Sequence, residues 1–134
     1  MGRKRVLIVD DEMDMRIFVS TLLETNGYKP IIANNGEEGI QKAREFKPAA
    51  IILDVLMPKS GGLQMYREGK TDDDLKDIPV IMLSAIAKKT FYNSMRMLNS
   101  YKGQAVPEPE AYIEKPPEID ELLKAVKQCI DSYD

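Results

Sequence analysis

Histidine is absent from the 134 residues, and cysteine occurs once, at Cys129. Without histidine, every Ser-His or Cys-His nucleophile scheme and every His-ligated zinc site is excluded. A lone thiol excludes disulfides and thiolate metal sites within the chain. Cys129 lies in a C-terminal helical pattern and reads as a small core residue. Long apolar runs are missing too. The basic start, Gly2-Arg3-Lys4-Arg5, is followed by only four apolar residues, Val6 to Val9, too short for a signal peptide or a membrane span. With 19 Lys and Arg against 22 Asp and Glu, the net charge is −3, so no basic field invites nucleic acid. The expected location is the cytoplasm. Carboxylates, hydroxyls and lysines remain to carry any chemistry.

Strand and helix patterns alternate five times along a length that suits one domain over residues 1–134. Strands are expected at Lys4 to Val9, Tyr28 to Ala33, Ala49 to Leu53, Pro79 to Leu83 and Tyr112 to Glu114. The first helix, Asp14 to Asn26, carries Met15, Phe18, Val19, Leu22 and Leu23 at helical spacing and ends at Gly27. Asn35 caps the second, with Glu37 and Glu38 in the first turn. A third lies around Leu63 to Gly69, beyond the turn-rich Pro58-Lys59-Ser60-Gly61-Gly62. Lys88 to Leu98 is the fourth, and Ile119, Leu122, Leu123, Val126 and Ile130 mark the fifth. Five βα units imply a parallel α/β sheet with right-handed crossovers and helices on both faces. Asn99 to Glu110 lacks periodicity and reads as a long loop before the fifth strand.

The strand ends carry the chemistry. Asp54 closes the unbroken apolar run Ala49 to Leu53, which suits a strand buried on both faces. Asp10-Asp11 closes Val6 to Val9. Open α/β sheets bind their ligands in the crevice at such strand ends. Three carboxylates there would repel one another and resist ionisation unless a cation joined them, so the arrangement asks for a divalent metal.

Read together, Asp10-Asp11, Asp54, Ser84-Ala85 and Lys115-Pro116 at four strand ends resemble the receiver domain of two-component response regulators. Asp54-Val55-Leu56-Met57-Pro58 followed by Gly61-Gly62, and Tyr112 three residues before Lys115, add to the resemblance, which covers essentially the whole chain. The resemblance implies the flavodoxin-like doubly wound (βα)5 fold of strand order 2-1-3-4-5. In that order Ser84 lies one strand from Asp54. Lys115 lies two strands away, roughly 10 Å, a gap that only a long side chain spans. The resemblance further implies that Asp54 is a phosphoacceptor. Mg²⁺ would be held by Asp10, Asp11 (the more direct ligand), Asp54 and the Leu56 backbone carbonyl. Lys115 would neutralise phosphoryl oxygens, ahead of a cis Lys115–Pro116 bond. Ser84 would move onto the phosphoryl group, and Tyr112 would rotate into the space it leaves. The face of the fourth helix, fifth strand and fifth helix would signal the change.

Taken singly, each residue has a plainer reading. Asp10, Asp11 and Glu12 can cap a helix, Asp54 can serve a turn, Ser84 can cap, Lys115 can be solvated, and Tyr112 can be core. Two departures from the family pattern stand out. Leu56 and Ile86, each two residues beyond a site residue, occupy positions that tune hydrolysis of the aspartyl phosphate. Both are apolar, so slow dephosphorylation is expected. The 30 residues between Ser84 and Lys115 form a longer gap than usual, which puts a borrowed signalling face in doubt.

The expected function is a phosphorylation switch rather than a turnover enzyme. Its donor would be a sensor histidine kinase or a histidine phosphotransfer protein, and its output protein is not specified. The last helix running to Tyr133-Asp134 favours a stand-alone regulator. Phosphorylation-dependent homodimerisation, with Lys88, Lys89 and Arg96 facing Asp120 and Glu121, stays open. The alternatives are an interaction module that has lost the chemistry and a Mg²⁺-dependent phosphatase with an aspartyl nucleophile. Haloacid-dehalogenase-like phosphatases need a second Asp where Leu56 stands.

Overall fold

The computed structural model describes residues 2–57, 61–102 and 105–131. Pro58-Lys59-Ser60 of the turn-rich segment and the terminal Tyr133-Asp134 lie outside the described residues. Five strands, β1 (Arg5–Val9), β2 (Lys29–Ala33), β3 (Ala50–Leu53), β4 (Val80–Ser84) and β5 (Ala111–Glu114), alternate with five helices. These are α1 (Met13–Thr25), α2 (Gly36–Phe46), α3 (Gly62–Lys70), α4 (Lys88–Lys102) and α5 (Ile119–Asp131). All pairings are parallel and the strand order is β2-β1-β3-β4-β5, the flavodoxin-like arrangement.

The two-residue repeat of a strand divides the core in two. Leu7, Val9, Ile51, Leu53, Val80 and Met82 pack under Ile40 and Ala43 of α2, Met65 and Tyr66 of α3, and Phe91 and Met95 of α4. Val6, Ile8, Ala50, Ile52, Ile81 and Leu83 face the other way, onto Val19 and Leu23 of α1 and Leu122, Val126 and Ile130 of α5. Both faces of the sheet are thereby covered, which is why β3 and β4 read as continuous apolar runs.

Local signals set the helix ends. Asn35 accepts a bond from the Glu38 amide at 2.9 Å, and the Glu38 carboxylate accepts from the Asn34 amide at 3.3 Å. The first supplies a partner to an amide that α2 itself leaves unpaired, and the second ties the preceding residue to the helix. Gly27, just past α1, sits at φ +89°, a conformation that costs glycine little.

The fourth helix differs from expectation. It runs on to Lys102, because nothing in the sequence breaks it before Gly103. The remaining described residues before β5 are docked on the domain. The Asn99 side chain bonds both backbone groups of Val106, donating to its carbonyl at 3.2 Å and accepting from its amide at 3.1 Å. Val106 is buried within the α2–α3–α4 core. The Tyr66 hydroxyl donates to the Pro107 carbonyl at 2.5 Å. Glu110 extends the β4 edge, donating its amide to the Val80 carbonyl at 3.0 Å and accepting from the Val80 amide at 2.6 Å.

Cys129 lies on the buried face of α5, and burial, helped by the Glu110 carboxylate, pushes its thiol up to about 11. An unfolded cysteine titrates near about 8.5, so the native thiol stays protonated at a mildly alkaline pH where the unfolded one is partly thiolate. At about pH 8 a disulfide reagent should therefore label the native protein at least about tenfold more slowly than urea-unfolded protein. Equal rates would mean that α5 does not cover this thiol.

Candidate functional site

The site lies where β1, β3, β4 and β5 end. Val9 and Leu53 are register partners on adjacent strands, so Asp10 and Asp54, each one residue on, emerge side by side. The Asp10 amide donates to the Ala33 carbonyl at 3.2 Å and the Asp54 amide to the Val9 carbonyl at 2.9 Å, which locks both backbones to neighbouring strands. Both side chains are buried, Asp10 at 2% exposure and Asp54 at 3%. One oxygen of each is held locally: Asp10 Oδ1 by the Glu12 amide at 2.9 Å and Asp54 Oδ1 by the Leu56 amide at 3.0 Å.

Lys115 enters from beyond β5, where its amide donates a hydrogen bond to the Ser84 carbonyl at 2.8 Å. The Lys115–Pro116 bond is cis. Its side chain spans β4 and reaches the remaining oxygens, Asp10 Oδ2 at 2.9 Å and Asp54 Oδ2 at 3.1 Å. It also meets Glu12 Oε1 at 2.6 Å. Burial alone would lower the Lys115 pKa, but the hydrogen bonds and charges of Asp10, Glu12 and Asp54 more than offset it and hold the ammonium charged well above its ordinary range. Asp54 moves the opposite way from a simple ion-paired carboxylate. Burial raises its pKa and the Asp10 charge adds to this, against the Leu56 amide and Lys115.

Carboxylate oxygens of Asp10, Glu12 and Asp54 all lie within 4.8 Å of one another. This acidic pocket can hold a metal. Its donors are oxygens only, the set that a hard divalent cation such as Mg²⁺ takes. Asp11, expected as the more direct ligand, is exposed, as Glu12 is, and the acids whose oxygens cluster are Asp10, Glu12 and Asp54. The reason is local geometry. The chain bends at Asp11, and the Glu12 amide donates to Asp10 Oδ1 across that bend, which keeps the Asp10 and Glu12 carboxylates together at the crevice. The run of three acids carried this signal, but the bend at Asp11 is not apparent from residue types.

Ser84 is wholly buried, and its hydroxyl accepts from the Ile86 amide at 3.3 Å. Tyr112, expected to turn inward only when Ser84 moves, is already inside. Its hydroxyl donates to the Ile86 carbonyl at 2.6 Å and meets the Ser84 side chain, while its ring stacks on Phe91 at 4.7 Å. Burial raises the Tyr112 pKa, so the phenol stays a donor. Leu56 is exposed beside Asp54, and Ile86 is half-buried against the α4 side of the core.

The chain belongs to the response regulator receiver domain family, whose profile matches residues 6–127. It is 35% identical over 128 residues to the polar-differentiation response regulator DivK of Brucella anthropi, covering 95% of this chain and 96% of that protein. The receiver domain of a signal transduction histidine kinase from Syntrophus aciditrophicus superposes with a TM-score of 0.81 at 28% identity, over 96% of this chain and 91% of that one. Chemotaxis protein CheY4 of Vibrio cholerae gives 0.79 at 26% identity, over 96% and 99%. The protein is therefore a receiver domain of two-component signalling. No helix among the described residues is long and apolar enough to cross a membrane.

The loop that presents Asp54 depends on Gly62. A Cβ at this position would lie 1.8 Å from the Asp54 carbonyl oxygen, 2.7 Å from its carbon and 2.8 Å from Val55 Cα. These are backbone atoms of the strand end, so no side chain can yield. Gly62→Ala should destabilise the fold by at least about 2 kcal/mol in urea unfolding, within the range for forced overpacking. An unchanged unfolding midpoint would contradict this close approach.

Proposed function

We propose that the protein is a phosphoacceptor switch in which Asp54 takes a phosphoryl group from a phosphohistidine on a sensor kinase or phosphotransfer protein. The observation that carries this reading is the buried Asp54, flanked by Asp10 and bonded by Lys115 in an oxygen-lined crevice. The donor histidine must belong to another protein, since this chain has none. In the transfer a carboxylate oxygen of Asp54 bonds to phosphorus as the phosphorus–nitrogen bond to the donor breaks, and the imidazole departs with that electron pair. Phosphoryl transfer needs mainly positioning and neutralised oxygens. Lys115 supplies a fixed positive charge, and the Leu56 amide holds the other Asp54 oxygen in orientation.

Mg²⁺ fits oxygen donors of this kind, with Asp10, Asp11, Asp54 and the Leu56 carbonyl as the ligands to test. When bound it supplies charge neutralisation of the phosphoryl oxygens. The new group would then draw the Ser84 hydroxyl from the Ile86 amide. Tyr112 is already seated on the Ile86 carbonyl, so the switch acts on how firmly α4 and β5 are held around it rather than on a large ring rotation. Leu56 and Ile86 offer no side-chain donor to orient an attacking water, so the aspartyl phosphate persists.

Intact-mass spectrometry after incubation with Mg²⁺ and acetyl phosphate tests the acceptor directly. Wild type should gain a Mg²⁺-dependent phosphoryl adduct and Asp54→Asn should gain none. A wild type without adduct, or an adduct on the Asn variant, overturns the assignment. The lifetime of that adduct tests the role of Leu56. Leu56→Asn should hydrolyse about tenfold faster, because its amide can hold a water beside the phosphoryl group. An unaltered decay would mean that another feature sets the lifetime.

A further inference from the structure

An ammonium has three protons to donate, and in this structure each has a carboxylate acceptor. Lys115 Nζ lies 2.9 Å from Asp10 Oδ2, 2.6 Å from Glu12 Oε1 and 3.1 Å from Asp54 Oδ2. The three acceptors are not equivalent. Asp10 and Asp54 are buried, and the second oxygen of each is fixed by a backbone amide. Glu12 makes the shortest contact of the three, yet its side chain is 61% exposed and makes no capping bond to α1. It alone can turn into water without leaving a buried charge behind.

We propose that Glu12 is a positioning residue that latches Lys115. Its carboxylate holds the ammonium toward the solvent side of the crevice and must let go before Lys115 can turn that donor to an incoming phosphoryl oxygen. The proposal rests on the phosphoacceptor reading of Asp54 and adds a resting-state brake to it. The Glu12 charge, within 4.8 Å of an Asp54 oxygen, also opposes an approaching phosphoryl anion, so latch and repulsion slow the reaction in the same direction. A length change separates them. Glu12→Asp keeps the charge but loses a methylene, and with it the reach to Nζ from the same backbone position.

Since the same carboxylates form the candidate cation pocket, the competing role for Glu12 is that of an essential ligand, and the two roles predict opposite results. The test combines three measurements on wild type, Glu12→Gln and Glu12→Asp. These are the initial phosphorylation rate with acetyl phosphate at saturating Mg²⁺, Mg²⁺ affinity by calorimetry, and hydrogen exchange of the Lys115 ammonium by NMR. Glu12→Gln should be phosphorylated about three- to fivefold faster than wild type, the scale of losing one pair with an exposed member. Its Lys115 ammonium protons should exchange faster. Glu12→Asp should show the faster exchange and a smaller gain in rate.

A Gln variant that is no faster, or whose ammonium exchange is unchanged, overturns the latch. So does a variant that loses both rate and Mg²⁺ affinity by about tenfold, which would make Glu12 a ligand. The ammonium readout needs no phosphoryl group. A wild type that exchanges as described but gains no adduct would end the Asp54 reading and leave the Lys115–Glu12 contact standing.

Discussion

Repulsion between Asp10 and Asp54 is the constraint around which this crevice is organised. Two buried carboxylates with oxygens within 4.8 Å oppose each other by on the order of 3 kcal/mol at an effective dielectric of about 20. Backbone amides from Glu12 and Leu56 take one oxygen from each acid, and the Lys115 ammonium takes the other. That compensation comes from three separate strand ends. The site therefore exists only when β1, β3 and β5 are in register, and its charge balance depends on the sheet. One ammonium against three carboxylates still leaves the pocket negative, which is the physical basis for a cation there.

The remaining structure serves to hold those strand ends still. The Asp54 amide is tied to β1, and the chain leaving β3 passes so close to Gly62 that only a hydrogen fits between them. Alternate residues of β1 and β3 point into two separate cores, so a slip of one residue would carry every apolar side chain to the wrong helix layer. The acidic residues at the strand tips are positioned by the burial of the strands behind them.

On the other side of the crevice, Ser84, Ile86 and Tyr112 form a connected polar group under α4, with Phe91 and Tyr92 stacked beside the Tyr112 ring. The segment after α4, which sequence composition marks as irregular, adds to this region. Asn99 and Tyr66 pin its backbone, and Val106 fills the core beneath. Any change at Ser84 is thus felt by a tightly packed α4–β5 neighbourhood. In the proposed reading this is the surface that carries the signal outward.

Sequence alone determined the βα alternation, the strand order through its family resemblance, and the candidates Asp10, Asp54, Ser84, Tyr112 and Lys115, because buried parallel strands write themselves as apolar runs ending in polar residues. Helix caps at Asn35 and Gly27 were equally legible, since each acts within a few residues. Three features were not. Glu12 reaches the Lys115 ammonium and clusters with Asp10 and Asp54, because the chain bends at Asp11 and residue types do not show that bend. Tyr112 sits inward, because its hydroxyl finds the Ile86 carbonyl across β4. Val106 and Pro107, beyond α4, are docked on the domain, because Asn99 and Tyr66 bond their backbone groups. Local pattern fixes which residues arrive at the crevice; which of them touch is decided by contacts between residues far apart in sequence.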